Sequence, residues 1–470
     1  MSKLNRDVFY MVLHELQDDK KALYSCLLVN KTWSEIIIPI LWKDPWKYLK
    51  KGNEKSLLKV ITTNLLLNPT YNIIKNSYQK PLFDYISYCR HLNLYEIRRI
   101  INTINEDSEM IIFKDEILGI FINENTKYTH LYIPYQFDNQ LHLIPGAKHC
   151  FSELKFLRCN TSINDNVLSG LTEICKSIKE LELFINVHNN NYGIVKLIES
   201  QKNLFDIRFI TYSQNMDGTF CNILENSLNK HSNTIQYFKM TTPPTTNILS
   251  SLINLKELEL NGNKNCNLED LGNLFLPFLR ILRVSNIQVE YLTNLIKNTN
   301  GYLIEIKIDN INHDDINNKK IIKAIYQNCP KLKYLKLLLK NNNIFELEKL
   351  LIECQNLNGL YILTDYYIDT IFYWNDLFEI LTTSSPKSLF KFKFNFNSSK
   401  PIKLESLKLF FDNWKGRNPM LLQLSNSYYC INNGDMKKYI DLIKKYKVEG
   451  IVKKYNNDWY GRTYKDFEWF

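Results

Sequence analysis

Apolar residues follow one pattern through most of the chain, L-x-x-L-x-L, in which other apolar residues can stand at the L positions. Ten segments fit it, starting at Leu154, Ile178, Leu204, Ile235, Leu255, Leu279, Leu303, Leu332, Leu357 and Leu389. Positions 4 and 6 are apolar and alternate with other residues, as in a strand with one buried face. Because the starts lie 20 to 32 residues apart, the pattern predicts a strand repeated at nearly regular intervals.

Each predicted strand is followed by apolar residues at helical spacing, as in VEYLTNLIKNTN after Gln288 and IFELEKLLIEC after Asn343. One strand and one helix cannot enclose a core, so neighbouring units must stack. Most of the intervals lie in or near the leucine-rich-repeat period of about 20–29 residues. We therefore predict an α/β fold, a curved leucine-rich-repeat solenoid with parallel strands on its concave face and helices on its convex face.

Weaker units extend the array at both ends. CRHLNL from Cys89 and YTHLYI from Tyr128 fit the pattern, and residues 419–424 read as a degenerate last strand. A capping helix is predicted to start at Asp435 and to end just before Gly450. The predicted divisions are a helical segment at 1–49, a helical linker at 50–88, the solenoid at 89–425 and a capping region at 426–470.

The first 49 residues predict three short helices. The first follows Asp7 as a possible cap, the second carries Leu23 and Leu27, and the third contains Pro39, which should bend or break it. So short a segment buries little apolar surface alone. It is either a helical cap on the next domain or a docking patch for a partner helix.

In order along the chain, LNRDV from Leu4, LYSCLLVNKTW from Leu23 and ILW from Ile40 resemble the F-box motif. The stretch WSEIIIPILWKDPWKYL from Trp33 is similar to a large fungal group of F-box proteins with C-terminal repeats. The resemblance implies binding to a Skp-type adaptor of an SCF ubiquitin ligase. The implied adaptor-binding and scaffold residues are Leu4, Asn5, Val8, Leu16, Leu23, Leu27, Val29, Trp33, Leu41 and Trp42. Asn5 stands where the family usually has proline, so rigid entry geometry and some apolar contact are lost.

Three of the ten cysteines, Cys175, Cys329 and Cys354, stand three residues before the first apolar residue of a unit. This arrangement resembles the cysteine-containing repeat class that is commonly joined to F-boxes. No CxxC pair occurs, and no secretory signal is recognised, so reduced thiols are expected. We interpret the three as buried packing residues rather than metal or redox centres.

Positions 3, 5 and 7 of the units should point outward; we call this set of positions the concave face. Seven of the ten residues at position 5 are basic, whereas position 3 is partly acidic. The face is either a solvated surface with lateral salt bridges or a groove for an acidic or phosphorylated protein segment. For the second interpretation the predicted target-binding residues are Phe156, Arg158, Arg208, Tyr237, Lys239, Arg283, Lys307, Tyr334, Lys336 and Tyr361.

A net charge of +10 permits binding to nucleic acid but does not require it, because acidic residues interleave on the predicted face. No phosphate-binding loop, HExxH or GxSxG motif occurs. No signal peptide and no stretch of about 20 apolar residues is recognised, so an intracellular protein outside the membrane is expected. We predict no catalysis, cofactor or metal. The alternatives to an adaptor-bound receptor are an adaptor-independent repeat scaffold and, less favoured, a nucleic-acid-binding repeat protein.

Overall fold

The computed structural model describes residues 6–17, 19–47, 49–50, 52–65, 82–102, 117–211, 217–262, 269–309, 313–364, 371–396, 401–426 and 433–456. The chain divides into two compact units, 1–231 and 232–470, called unit 1 and unit 2. Leu4 and Asn5 lie outside the described residues.

Unit 1 begins with helices and continues with strand–helix repeats. Its helices α1–α9 are Arg6–Glu15, Lys20–Leu27, Lys31–Trp42, Glu54–Leu65, Leu94–Ile101, Ala147–Cys150, Asp165–Ile174, Gly193–Ser200 and Gly218–Asn226. Its 3₁₀ turns are Ile86–Tyr88, Leu141–Leu143 and Ser227–His231. Its strands β1–β5 are His91–Asn93, His130–Tyr132, Phe156–Asn160, Glu180–Ile185 and Asp206–Thr211. Each of these strands pairs in parallel with the next along the chain.

Unit 2 continues the same alternation. Its helices α10–α17 are Ile248–Ser251, Glu269–Gly272, Val289–Lys297, Asp315–Asn328, Ile344–Glu353, Trp374–Ser384, Leu404–Asn413 and Asn433–Val448, with a 3₁₀ turn at Asn341–Asn343. Its strands β6–β14 are Tyr237–Met240, Glu257–Asn261, Ile281–Ser285, Glu305–Asp309, Tyr334–Leu338, Gly359–Leu363, Lys391–Phe396, Met420–Asn426 and Val452–Asn456. These strands also pair in parallel in chain order.

The core forms where the sequence pattern places it. In all ten predicted strand–helix repeats, the residues at pattern positions 1, 4 and 6 are at most 3% exposed, and each strand starts at position 3. Cys175, Cys329 and Cys354 are fully buried beside this core, and burial raises the pKa of Cys175 and of Cys354 to about 12. The predicted α/β leucine-rich-repeat architecture and the buried packing positions of these cysteines are confirmed.

The ends of the chain differ from prediction in local detail. Helix α1 starts at Arg6, so Asp7 lies in its first turn instead of capping it. Helix α3 runs through Pro39 to Trp42. The packing of its apolar side chains into the N-terminal helical core stabilises the helix by more than it loses with the hydrogen bond that proline cannot donate. Helix α17 starts two residues before Asp435 and ends before Gly450, which has a φ of +76°. A further strand, β14, follows it and was not predicted.

Buried asparagines join successive repeats of unit 2. The Asn318 amide donates to the carbonyl oxygen of Leu338 at 2.8 Å, and its oxygen accepts from the Lys340 amide at 3.1 Å and from Asn343 Nδ2 at 3.1 Å. Asn318 is fully buried. Since water cannot replace these partners, the Asn318 side chain holds the residues at the end of strand β10 against helix α13.

Asn318→Ala is expected to lower the free energy of unfolding by about 2 kcal/mol or more, because it leaves buried backbone and amide groups without partners. Asn317→Ala is the matched control on the same helix, where the partly exposed side chain takes no part in this network. Chemical denaturation of both variants measures the difference. Equal losses would show that the buried amide network contributes nothing specific.

Candidate functional site

The N-terminal helices form a small core of their own. Leu13, Leu23, Ile36 and Ile37 are buried at its centre. Asp19 accepts a hydrogen bond from the Ala22 amide at 3.0 Å, and Asn30 accepts one from the Trp33 amide at 3.0 Å. These N-caps fix where α2 and α3 begin, so the turn between them has a defined conformation.

The predicted adaptor-binding residues occupy three environments. Leu23 is buried in the helical core and can act only as scaffold. Leu16, Leu27, Trp33 and Leu41 are half-buried against that core. Trp42 is half-buried, and its ring packs on that of Tyr85 with centroids 4.7 Å apart. Val8 and Val29 are exposed.

Other exposed apolar side chains lie beside these two valines in the sequence. Met11 and Val12 are exposed on α1, and Leu28, at the end of α2, is 86% exposed. Leu28 and Val29 stand in the turn held by the Asn30 cap, and the Ser34 hydroxyl donates to the carbonyl oxygen of Leu27 at 2.8 Å. The sequence analysis did not select Leu28 as a site residue, because helical spacing alone does not say which side of a short helix is covered.

The N-terminal helices also contact the first strand of unit 1. The Lys43 carbonyl oxygen accepts from the Arg90 amide at 2.9 Å and from the His91 amide at 3.2 Å. The Trp46 indole donates to the His91 carbonyl oxygen at 2.7 Å. These bonds satisfy backbone groups at the edge of β1, which would otherwise be an open sheet edge.

Charged residues pair laterally on the concave face of unit 1. Arg208 forms two hydrogen bonds to Asp206, at 3.0 and 2.5 Å, and lies 3.6 Å from Glu182. Arg158 lies 2.7 Å from Glu182 on its other side. The strand register brings these residues side by side, because Arg158, Glu182 and Arg208 face one another across β3, β4 and β5.

The concave face of unit 2 shows the same pairing across β6–β10. Arg283 contacts Glu257 and lies 2.8 Å from Glu305 and 3.9 Å from Glu259. The remaining lysine pairs are Lys239 with Glu259 at 2.6 Å, Lys307 with Glu305 at 3.3 Å and Lys336 with Asp309 at 2.7 Å. The predicted target-binding bases are therefore engaged within the protein, as in the interpretation of a face with lateral salt bridges.

The aromatic residues predicted for target binding also differ in solvent exposure. Tyr237 and Tyr334 are half-buried, whereas Phe156 and Tyr361 are buried. The ring of Tyr361 lies 4.6 Å from the Lys336 amine and 4.4 Å from the Lys393 amine. Both lysines are buried, so these groups stabilise one another by cation–π contacts. Tyr361 and Lys336 are packed groups in this structure, and their predicted contact with a target stays a prediction.

Four rings lie together on the concave face at β1–β3, and the sequence analysis did not group them. His91 and His130 stack with centroids 3.8 Å apart, and Phe156 lies 5.3 Å from His130. Tyr132 lies 5.2 Å from Phe156. We call these four residues the aromatic platform. The histidines are far apart in sequence, and only the register His91–His130–Phe156 brings them together.

Burial sets the protonation of the platform. Burial, with nearby Lys43 and Lys47, lowers the pKa of His91 to about 4. Burial and the stacked His91 ring lower the pKa of His130 to about 4, although Asp44 acts in the opposite direction. Both imidazoles are therefore neutral at neutral pH.

The described residues offer no group of three or more histidine, cysteine, aspartate or glutamate side chains that could hold a metal ion. Across the same part of the chain, we find no helix with the length and apolar character needed to cross a membrane. The two candidate surfaces are the exposed apolar residues of the N-terminal helices and the concave face of each unit.

Acid is expected to destabilise unit 1 through the platform histidines. Their pKa values are about 4 in the folded chain, against an ordinary value near 6.5, so only the unfolded chain gains these protons in between. The histidines then leave the free energy of unfolding undiminished above pH ~6.5 and lower it progressively toward pH ~4. Each ring contributes less than about 1.4 kcal/mol per pH unit, because both rings are partly exposed. Chemical denaturation between pH 7 and pH 4.5 measures this slope.

The double variant His91→Gln/His130→Gln is expected to reduce the slope, whereas His149→Gln, at an exposed position of unit 1, should leave it unchanged. An unaltered slope in the double variant would mean that other groups cause the acid sensitivity.

Comparison with known proteins gives limited similarity. No protein-family model matches the sequence. No curated protein is significantly similar to it in sequence. Among solved structures, the crystal structure of the leucine-rich repeat-containing protein LegL7 from Legionella pneumophila is similar over 63% of this chain and 89% of that chain, with 14% identity and a TM-score of 0.39. The repeat architecture described above rests on the strand register of the chain itself.

Proposed function

We propose that the chain is a non-catalytic substrate-recognition subunit of an SCF-type ubiquitin ligase. In this role the N-terminal helices bind a Skp-type adaptor, and through it a cullin, while the repeats bind a target protein. The chain would act inside the cell, in the cytoplasm, the nucleus or both. No transfer chemistry is assigned to it.

The observation that carries the proposal is the uncovered apolar surface on the segment that resembles an F-box. Met11, Val12, Leu28 and Val29 are exposed while the same helices keep a buried core. Several exposed apolar side chains on one short folded helical segment are typical of a protein-binding surface. A pure capping segment would be expected to turn such residues inward.

The repeats support the second half of the proposal. Within each unit, stacked strand–helix repeats present a row of side chains on a sheet, which suits binding of an extended protein surface. Here that row carries paired charges and aromatic rings. Such a face can hold a target while the N-terminal helices remain available to the adaptor.

The test is co-purification of the full chain with a co-expressed Skp-type adaptor. Leu28→Glu/Val29→Glu is expected to reduce adaptor recovery at least tenfold, because it places two charges in an apolar interface. Both side chains are exposed, so the substitution spares the helical core, unlike changes at Trp33 or Leu27.

Val448→Glu, at an equally exposed apolar side chain in unit 2, is the matched control and should recover adaptor like the unaltered chain. Absence of adaptor from the unaltered sample would reject the ligase role and leave an adaptor-independent repeat scaffold. Equal recovery with the double variant would place the contact elsewhere on the chain.

A further inference from the structure

The exposure of the position 5 side chains changes along the concave face of unit 2. In β6–β9 they are half-buried, namely Lys239, Glu259, Arg283 and Lys307. In β10–β13 they are 8%, 5%, 3% and 1% exposed, namely Lys336, Tyr361, Lys393 and Gln423. Neighbours in this row cover the sides of such a side chain, whereas burial of its outer end needs further atoms above the sheet. The concave face at β10–β13 is therefore covered.

The charges at positions 3, 5 and 7 also differ between these two parts of the face. In β6–β9 these positions carry four acidic and three basic residues, which pair laterally. In β10–β13 they carry Lys336, Lys391 and Lys393 and no acidic residue. Asp309 of β9 lies 2.7 Å from Lys336. Burying an ammonium group is unfavourable unless an anion lies beside it, so we expect carboxylates in the cover over β12.

Apolar groups surround the two lysines of β12. The Lys391 amine lies 5.2 Å from the ring of Tyr334, and the Lys393 amine lies 4.4 Å from the ring of Tyr361. Leu421, which faces Lys391 across β12 and β13, is 7% exposed. Rings attract cations without neutralising them, and a buried leucine favours an apolar neighbour. A cover that combines carboxylates with apolar side chains therefore fits this part of the face.

Residues 457–470, NDWYGRTYKDFEWF, combine these two features and lie outside the described residues. Six of them are aromatic, and acidic and aromatic residues alternate from Asp466 to Trp469. They follow β14, which ends at Asn456, two strands from β12 in the sheet order. Two strand spacings are about 10 Å, whereas ten extended residues span about 33 Å, so the stretch from Asp466 is within reach of β12.

We infer that segment 457–470 binds the concave face at β10–β13, with Asp466 and Glu468 beside Lys391 and Lys393 and its aromatic side chains on the apolar groups around them. The burial of this face is found in a single chain, so its cover belongs to the same chain and not to a partner.

The contact is autoinhibitory for this part of the face. An acidic or phosphorylated target segment, as expected from the sequence, has to displace segment 457–470 before it reaches Lys391 and Lys393. This consequence rests on the proposed use of the concave face for target binding, whereas the contact itself does not depend on the ligase role.

The first test is zero-length cross-linking of the full chain with a water-soluble carbodiimide, which joins an amine to a carboxylate in contact with it. Peptide mass spectrometry of the monomeric product is expected to join segment 457–470 to the peptide that contains Lys391 and Lys393. Asp466→Asn/Glu468→Gln should reduce this cross-link at least fivefold, because it removes the two carboxylates.

The matched control is Glu379→Gln/Glu405→Gln, at exposed positions of helices α15 and α16, which should leave the cross-link unchanged. Absence of a cross-link between segment 457–470 and β12, or its persistence in the Asp466→Asn/Glu468→Gln variant, would overturn the inference. So would cross-links that join the β12 lysines only to a different segment.

The second test measures whether the face is occupied, with a fluorescent peptide of residues 457–470 as the probe. Asp466→Lys/Glu468→Lys in the full chain should release the chain's own segment, so the peptide is expected to bind this variant at least fivefold more tightly than the unaltered chain. Adding Lys391→Gln to the variant should weaken peptide binding at least threefold, whereas adding Lys437→Gln, at an exposed position of helix α17, should not.

Equal affinity of the peptide for the variant and the unaltered chain would also overturn the inference. Adaptor recovery is measured separately, so failure to recover adaptor from a chain that shows the cross-link would reject only the ligase role. Adaptor recovery without the cross-link would reject this inference alone.

Discussion

The structure depends on one constraint: a single strand–helix repeat cannot bury its own apolar residues. Each strand–helix repeat places positions 1, 4 and 6 of its pattern against the neighbouring repeat. Burial of these side chains therefore fixes the register between strands. A shift by one residue would turn the buried side chains outward. The same register therefore decides which residues meet on the opposite face, although those residues contribute little to the core.

That consequence explains the ion pairs of the concave face. Arg283 faces Glu259 and Lys307 across β7, β8 and β9 and lies diagonal to Glu257 and Glu305. Glu259 and the position 3 residues Glu257 and Glu305 pair with these bases locally, and each exposed pair contributes little free energy. A basic column in the sequence is thus partly neutralised by acidic neighbours in the folded chain.

Much of the fold could be predicted from sequence because it depends on a repeated local pattern. All ten predicted strands form, and the two weaker units form β1 and β2. Strand β14 escaped prediction because its segment carries Lys453 and Lys454, which break the apolar alternation and suit an edge strand. The histidine stack also escaped, because His91 and His130 are separated by a repeat of irregular length. Ion pairing could be proposed from the columns, but the burial of Lys336 and Tyr361 could not, because it depends on tertiary packing.

The N-terminal helices must meet two demands that conflict. The edge of β1 needs partners for its backbone groups, and Lys43 and Trp46 supply them. A segment serving only this purpose would gain most by covering all its apolar side chains, yet Leu28 stays exposed on a turn whose conformation is fixed by the Asn30 cap. A rigid exposed apolar turn costs solubility and contributes nothing to the edge contact. Its retention on a segment already anchored to the first strand is the physical argument for our proposal that this end of the chain binds another protein.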